Sequence, residues 1–200
     1  MGIKDIRRNY ILDRAIKIFC EKSISEVKIK DIAAACNIGE ATFYRYFSKR
    51  STLVIACTMK LVDQMYDLFL DDGHGNGYDR LTRFYYHFYE VFGDHPEYYR
   101  FLSEFDASCL RGDYGDLMGY SKRLDCFQDY FIAAYKDGVA DGSVKELWDV
   151  DLFYFATTHA LLALCKKLAA EAYIVMQDGL TDKRQEVRTI IEIILNSLKK

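Results

Sequence analysis

Apolar side chains recur every three or four positions along most of this chain, the spacing of helices that each bury one face. Ile11, Ala15, Ile18 and Phe19 mark the first stripe and predict a helix over 4–22. Ile29, Ile32, Ala33 and Cys36 mark a second, shorter one. Asn37 follows where the chain must reverse, and Asn is among the few residues that tolerate a left-handed backbone. Ile38 is placed to plug the gap between two helices, and Gly39 is an acceptable N-cap for a third. There Phe43 and Phe47, four apart, point inward and leave Glu40, Ala41, Thr42, Tyr44, Arg45 and Tyr46 on the outer faces. Two short helices joined by a three-residue turn, the second polar and aromatic outside, have the layout of a helix-turn-helix that enters a DNA major groove.

The helical spacing continues to the end. Ser48 offers an N-cap for a fourth helix carrying Leu53, Cys57, Leu61, Met65, Leu68 and Phe69 and reaching about Leu70. That is long for a small reader, so its second half is expected to join two domains. A break follows at 71–77, with three Gly in its last five residues. Helices are then expected over 78–92, in a short element opening at Pro96, over 117–138, over 150–176 and over 181–198, with a loop at 109–115. The chain therefore reads as all-α: an N-terminal three-helix reader, 1–50, and a larger helical domain, 51–200.

Charge sharpens this division. The net charge of −3 argues on its own against nucleic acid. Residues 1–50, however, hold eleven Lys or Arg against six Asp or Glu, and the remaining 150 hold sixteen against twenty-four. A basic first quarter on an acidic remainder suits a DNA reader attached to a regulatory body.

Three segments in order resemble the DNA-binding domain of the tetracycline-repressor (TetR) family of bacterial regulators. They are Ile11-Leu12-Asp13-Arg14-Ala15-Ile16-Lys17-Ile18-Phe19, Ile29-Lys30-Asp31-Ile32-Ala33, and Thr42-Phe43-Tyr44-Arg45-Tyr46-Phe47, with Leu53 closing the match. The chain departs from the common pattern at Ser23, Lys28, Asn37, Gly39 and Glu40. The resemblance implies a transcriptional regulator, a repressor by the family's usual sign, that binds a palindromic operator as a homodimer. It also implies phosphate contacts around Lys28 and a base within reach of Lys30.

The reader residues can be assigned by chemistry. Tyr44 and Tyr46 carry hydroxyls suited to phosphate oxygens, and the amides after Gly39 suit another. Arg45 can grip guanine O6 and N7 together. Lys49 and Arg50, opening the fourth helix, are expected at phosphates. Glu40 suits the positive end of its helix and equally suits cytosine N4.

Rings are dense beyond the reader, with sixteen Tyr and thirteen Phe in the chain. One helix face of fifteen residues cannot bury all of Phe84, Tyr85, Tyr86, Phe88, Tyr89 and Phe92. Some must therefore line a cavity or the surface. The resemblance implies a ligand pocket in the second domain, so Tyr85, Phe88, Tyr89 and Phe92, with Phe127, Tyr130 and Phe131, are expected to line a site for a small, largely apolar effector, which Met65 and Phe69 complete. The last two helices carry Ala160, Leu164 and Leu168, then Val187, Ile191, Ile194 and Leu198. These are expected in a four-helix dimer interface, because Ile190 and Ile193 make the last helix apolar on a second face.

Other chemistry finds no support. The four His show no ligand spacing, and no phosphate loop, nucleophile elbow or Cys-x-x-Cys is present, so no metal, cofactor or catalysis is expected. Six scattered Cys read as free thiols of a reducing cytosol. The charged N-terminus and the lack of a long apolar run point to a cytoplasmic protein. The rival reading is a helical small-molecule-binding protein or enzyme whose N-terminal domain does not bind DNA, supported by Glu40 and the net charge.

Overall fold

The computed structural model describes residues 2–69, 74–114, 117–170 and 176–200, and within them all side chains but those of 68, 69 and 177. Among these residues nine α-helices follow one another: α1 (Ile3–Glu21), α2 (Ile29–Ala35), α3 (Glu40–Tyr44), α4 (Arg50–Phe69), α5 (Gly77–Asp94), α6 (Pro96–Leu110), α7 (Met118–Asp141), α8 (Val150–Ala169) and α9 (Lys183–Leu198). A turn of 3-10 helix covers Met176–Gly179, and Val144 pairs with Lys199 in a single antiparallel bridge. The all-α expectation holds.

Several boundaries differ from the sequence reading. α4 begins at Arg50, a residue too late for Ser48 to cap it. α6 is not short: it runs past the expected loop start to Leu110, because its inner stripe of Phe101, Leu102 and Phe105 continues to buried Ser108. α8 stops at Ala169, where Ala170 turns extended, and Lys166 and Lys167 complement the negative end of the helix. The rest of the helix expected to 176 falls on 171–175, outside the described residues, as do Leu70, the first three residues of the break after it and Gly115 of the expected loop.

The chain divides into two compact units, Met1–Gln64 with Arg100–Arg123, and Met65–Tyr99 with Leu124–Lys200. α4 thus contributes residues to both units. Leu53, Val54, Cys57 and Leu61 are fully buried in the first half of that helix, and Lys60 pairs with Asp13 of α1 at 2.7 Å. Residues 100–123 join the first unit through contacts that periodicity cannot foresee. Phe101 sets its ring 6.0 Å from that of Phe19, and Phe105 stacks on Tyr114 at 5.2 Å.

In the second unit, α9 packs on α5 and α8, and α5 packs on α8. The buried stripe of α5 is Leu81, Phe84, Tyr85, Phe88, Val91 and Phe92. Its first turn needs Gly77 for close approach, since a Cβ there would stand 2.1 Å from the nitrogen of Gly138 on α7.

Candidate nucleic-acid interface

The reader is built around a tight junction between α2 and α3. α2 starts with the Asp31 carboxylate accepting the Lys28 amide at 2.9 Å. It ends with Asn37 at φ 54°, the left-handed residue expected there. The Asn37 amide donates to the Ala34 carbonyl and the Ile38 amide to that of Ala33, both at 3.0 Å. Those two bonds satisfy carbonyls that the helix end would otherwise leave open. Gly39 then caps α3, and its carbonyl accepts from Thr42 and Phe43. Phe43 and Phe47 are buried with rings 5.6 Å apart, each worth roughly 1.5–3 kcal/mol of burial.

With those rings inside, the remaining side chains of α3 turn outward. Gly39, Glu40, Ala41, Tyr44 and Arg45 are exposed, and Thr42 and Tyr46 are half-buried. Lys28 and Lys30 on α2, and Lys49 before α4, are exposed as well. Lys28, Lys30, Arg45 and Lys49 take part in no ion pair among the described residues. This surface offers cations, two phenols and the hydroxyl of Thr42 on neighbouring elements.

Arg50 has partners within its own unit that the sequence did not announce. Its guanidinium turns into the unit, donating to the carbonyl of Val27 at 3.2 Å and to that of Ile24. The side chain fastens the turn between α1 and α2. Glu104 of α6 holds the same turn from another side, a contribution that no local sequence signal announces.

The residues read as an effector wall do not share one face. Tyr85 and Phe131 are fully buried, with rings 6.0 Å apart, and the Tyr85 hydroxyl is bonded to that of Thr157 at 2.7 Å. Phe84 and Tyr154, which the sequence did not single out for this wall, complete the cluster, Phe84 lying 5.4 Å and Tyr154 5.2 Å from Phe131. Burial raises the Tyr85 hydroxyl's pKa and pushes that of Tyr154 up to about 12. Tyr130 stacks beside Phe84, and Phe127 meets Tyr66 edge to face. Phe88, Phe92 and Met65 are buried, with the Phe92 ring against Tyr99. Tyr89 instead faces α9, its half-buried ring covered by the Arg184 guanidinium at 4.8 Å. The Phe69 side chain lies outside those described.

The expected dimer contacts need a similar correction. Val187, Ile191 and Leu198 are completely buried in their own unit, and Leu168 and Ile194 nearly so. α9 spends that stripe on α5 and α8. Of the seven residues, Ala160 is exposed and Leu164 half-buried. The apolar surface left open on α8 is Leu152, Phe155, Ala156, His159, Ala160 and Ala163, one continuous helical face. On α9 it is Ile193, 59% exposed, beside half-buried Ile190.

Residues 11–57 match the family model described as bacterial regulatory proteins, tetR family. No curated protein matches the sequence. Similar solved structures include the ketosteroid transcriptional regulator KstR2 of Mycobacterium tuberculosis, 19% identical over 97% of this chain and 95% of that one, with a TM-score of 0.66. The fatty acid degradation regulator FadR from Bacillus halodurans is 16% identical over 98% and 96%, with a TM-score of 0.71. AibR, solved in complex with isovaleryl coenzyme A and operator DNA, is 17% identical over 94% and 97%, with a TM-score of 0.61. At these identities the solved structures speak for the fold, which they share with this chain nearly end to end. Residues 11–57 thus match the tetR family model, and nearly the whole chain shares the fold of these solved regulators.

Proposed function

We propose that this protein is a ligand-responsive transcriptional repressor that binds a palindromic operator as a homodimer. The observation that carries it is the reader surface: Tyr44 exposed on α3 and Arg45 exposed at its C-cap, with exposed Lys28, Lys30 and Lys49, which take part in no ion pair among the described residues. Arg45 reads a base, while Tyr44, Tyr46, the lysines and the backbone at Gly39 hold phosphates. Dimerisation uses the open apolar face of α8 with Ile190 and Ile193 of α9. Two readers on half-sites about one helical turn apart supply affinity that a single helix-turn-helix lacks.

The effector is a small, largely apolar molecule bound among the rings of the second unit. The complex of the similar AibR with isovaleryl coenzyme A supports an acyl-bearing compound as one candidate. α4 contributes residues to both units, and in this proposal its tilt transmits occupancy. A shift in the separation of the two readers then releases the operator, and linkage requires DNA to weaken ligand binding by the same factor.

The test is a mobility shift with DNA from upstream of the protein's own gene at rising salt. Retardation that falls steeply with salt is expected. Arg45→Ala should cost about 1–3 kcal/mol and relax preference at one base position. No retardation at any salt would overturn the proposal in favour of a helical binding protein without a DNA role.

A further inference from the structure

Much of the reader's positive charge lies outside the helix-turn-helix. Residues 1–25 hold six Lys or Arg against three Asp or Glu, whereas residues 26–50 hold five against three. A contact ties this outlying charge to the recognition helix. The Arg8 guanidinium lies over the ring of Phe47, 4.9 Å from its centre. Phe47 follows α3 by three residues, and exposed Lys49 stands two residues further on. The start of α1 is thereby fixed beside the chain that leaves the recognition helix.

Lys4 occupies the same face of α1 as Arg8, one turn nearer its beginning, and Arg7 is adjacent. Both are exposed, and neither takes part in an ion pair among the described residues. Further along α1, Asp13 already neutralises Lys60. The helix end is not itself an open anion site, because the Asp5 carboxylate accepts the Gly2 amide at 3.1 Å. Around the Arg8–Phe47 contact the chain carries three exposed cations, Lys4 and Arg7 in the first turns of α1 and Lys49 two residues after Phe47.

We propose that Lys4 and Arg7, with Lys49, form a phosphate-binding ridge that carries the DNA contact beyond the helix-turn-helix onto α1. A helix seated in a major groove is bordered by the sugar-phosphate backbones, and side chains at its end meet them without reading sequence. Arg8 is a positioning residue: its stacking on Phe47 holds the first turns of α1 against the duplex side of the reader. The inference rests on the DNA-binding role proposed above and adds residues to it.

The experiment measures binding of the full-length protein to a fluorescent 30-base-pair duplex of upstream sequence and to a scrambled duplex, across a salt series. The double variant Lys4→Ala/Arg7→Ala is compared with wild type after circular dichroism confirms unchanged melting, as both side chains are exposed. Removing one cation from a phosphate lowers the slope of log affinity against log salt by roughly 0.9, so a drop of about 2 per bound subunit is expected. The ratio between the two duplexes should stay the same. A wild-type slope in the double variant overturns the ridge while leaving the DNA-binding role intact. Wild-type protein that binds neither duplex at low salt overturns both.

Discussion

Glu104 on α6 accepts the hydroxyl of Ser23, in the turn after α1, at 2.9 Å, and its carboxylate takes the amide of Ile24 as well. Arg50 on α4 bonds the carbonyls of Ile24 and Val27 in that same turn. Ile24 and Val27 themselves are buried beneath it. The turn sets where α2 begins and hence where α3 presents Arg45. Its geometry is therefore held by polar contacts from two helices that lie far along the chain.

Glu104→Ala removes the acceptor and leaves the Ile24 amide without its protein partner, at a cost of about 1–3 kcal/mol. Glu104→Gln keeps an oxygen in place and should cost less. Arg50→Lys should not rescue Arg50→Ala, because a single ammonium does not reproduce the planar fork that serves two carbonyls. Chemical denaturation of the full chain measures all of these. A midpoint unchanged by Glu104→Ala would show that the turn holds without this bond.

Asn37 gives a sharper test of the reader's local design. Its φ of 54° disfavours side chains branched at Cβ and costs Ala roughly 1–2 kcal/mol. Asn37→Gly should be neutral or slightly stabilising in the folded state, and Asn37→Val should be the most damaging of the three. DNA affinity should fall in the order of stability, since the angle between α2 and α3 depends on this residue. Equal stability of Asn37→Val and wild type would show that the left-handed turn does not constrain the reader.

These two cases mark what the sequence could reveal. Asn37, Gly39 and Phe43 were legible because each obeys a local rule: a left-handed turn, a cap, a buried position four before Phe47. Glu104 was not legible, because its partner Ser23 is remote and an acidic residue on a helix ordinarily faces water. The grouping of residues 100–123 with the N-terminal helices was hidden for the same reason: the contact of Phe101 with Phe19 is long-range. Periodicity found the buried stripe of α5 but could not say what covers it, nor that the Arg184 guanidinium of α9 lies over the ring of Tyr89. On α9 the excess of apolar residues was visible, yet Ile191 and Ile193 were assigned their inner and outer roles only by packing.

That distinction on α9 can be tested directly. Ile193→Glu and Phe155→Glu place a charge on the open face, where it meets water in a monomer and an apolar partner in a dimer. Each should yield a folded monomer in sedimentation, with operator binding strongly reduced. Ile191→Glu places the charge in the subunit's own core, where an unpaired carboxylate is costly, and should unfold the protein instead. A folded Ile193→Glu variant that remains dimeric would move the interface elsewhere.

Asp141 sets up a dependence on pH in the second unit. Its carboxylate accepts the Ser143 hydroxyl, the Gly77 amide at 2.8 Å and the Ser143 amide at 2.8 Å. The Ser143 hydroxyl in turn accepts the amide of Tyr78 at 3.1 Å. One carboxylate thus closes the start of α5 against the end of α7, where Gly77 and Gly138 touch. Those bonds, the Ser143 hydroxyl foremost, hold the Asp141 pKa below the ordinary carboxylate value of about 4. A pKa depressed on folding means the folded state binds the proton less readily than the unfolded one. The stabilisation is therefore complete above about pH 4 and is lost as pH falls through the lower, folded value. Asp141→Asn keeps an acceptor oxygen but no charge. Its melting temperature should lie below that of wild type at neutral pH, and the gap should close on acidification below about pH 4. A gap that stays constant from pH 7 to pH 3 would show that the charge at Asp141 does not stabilise this junction.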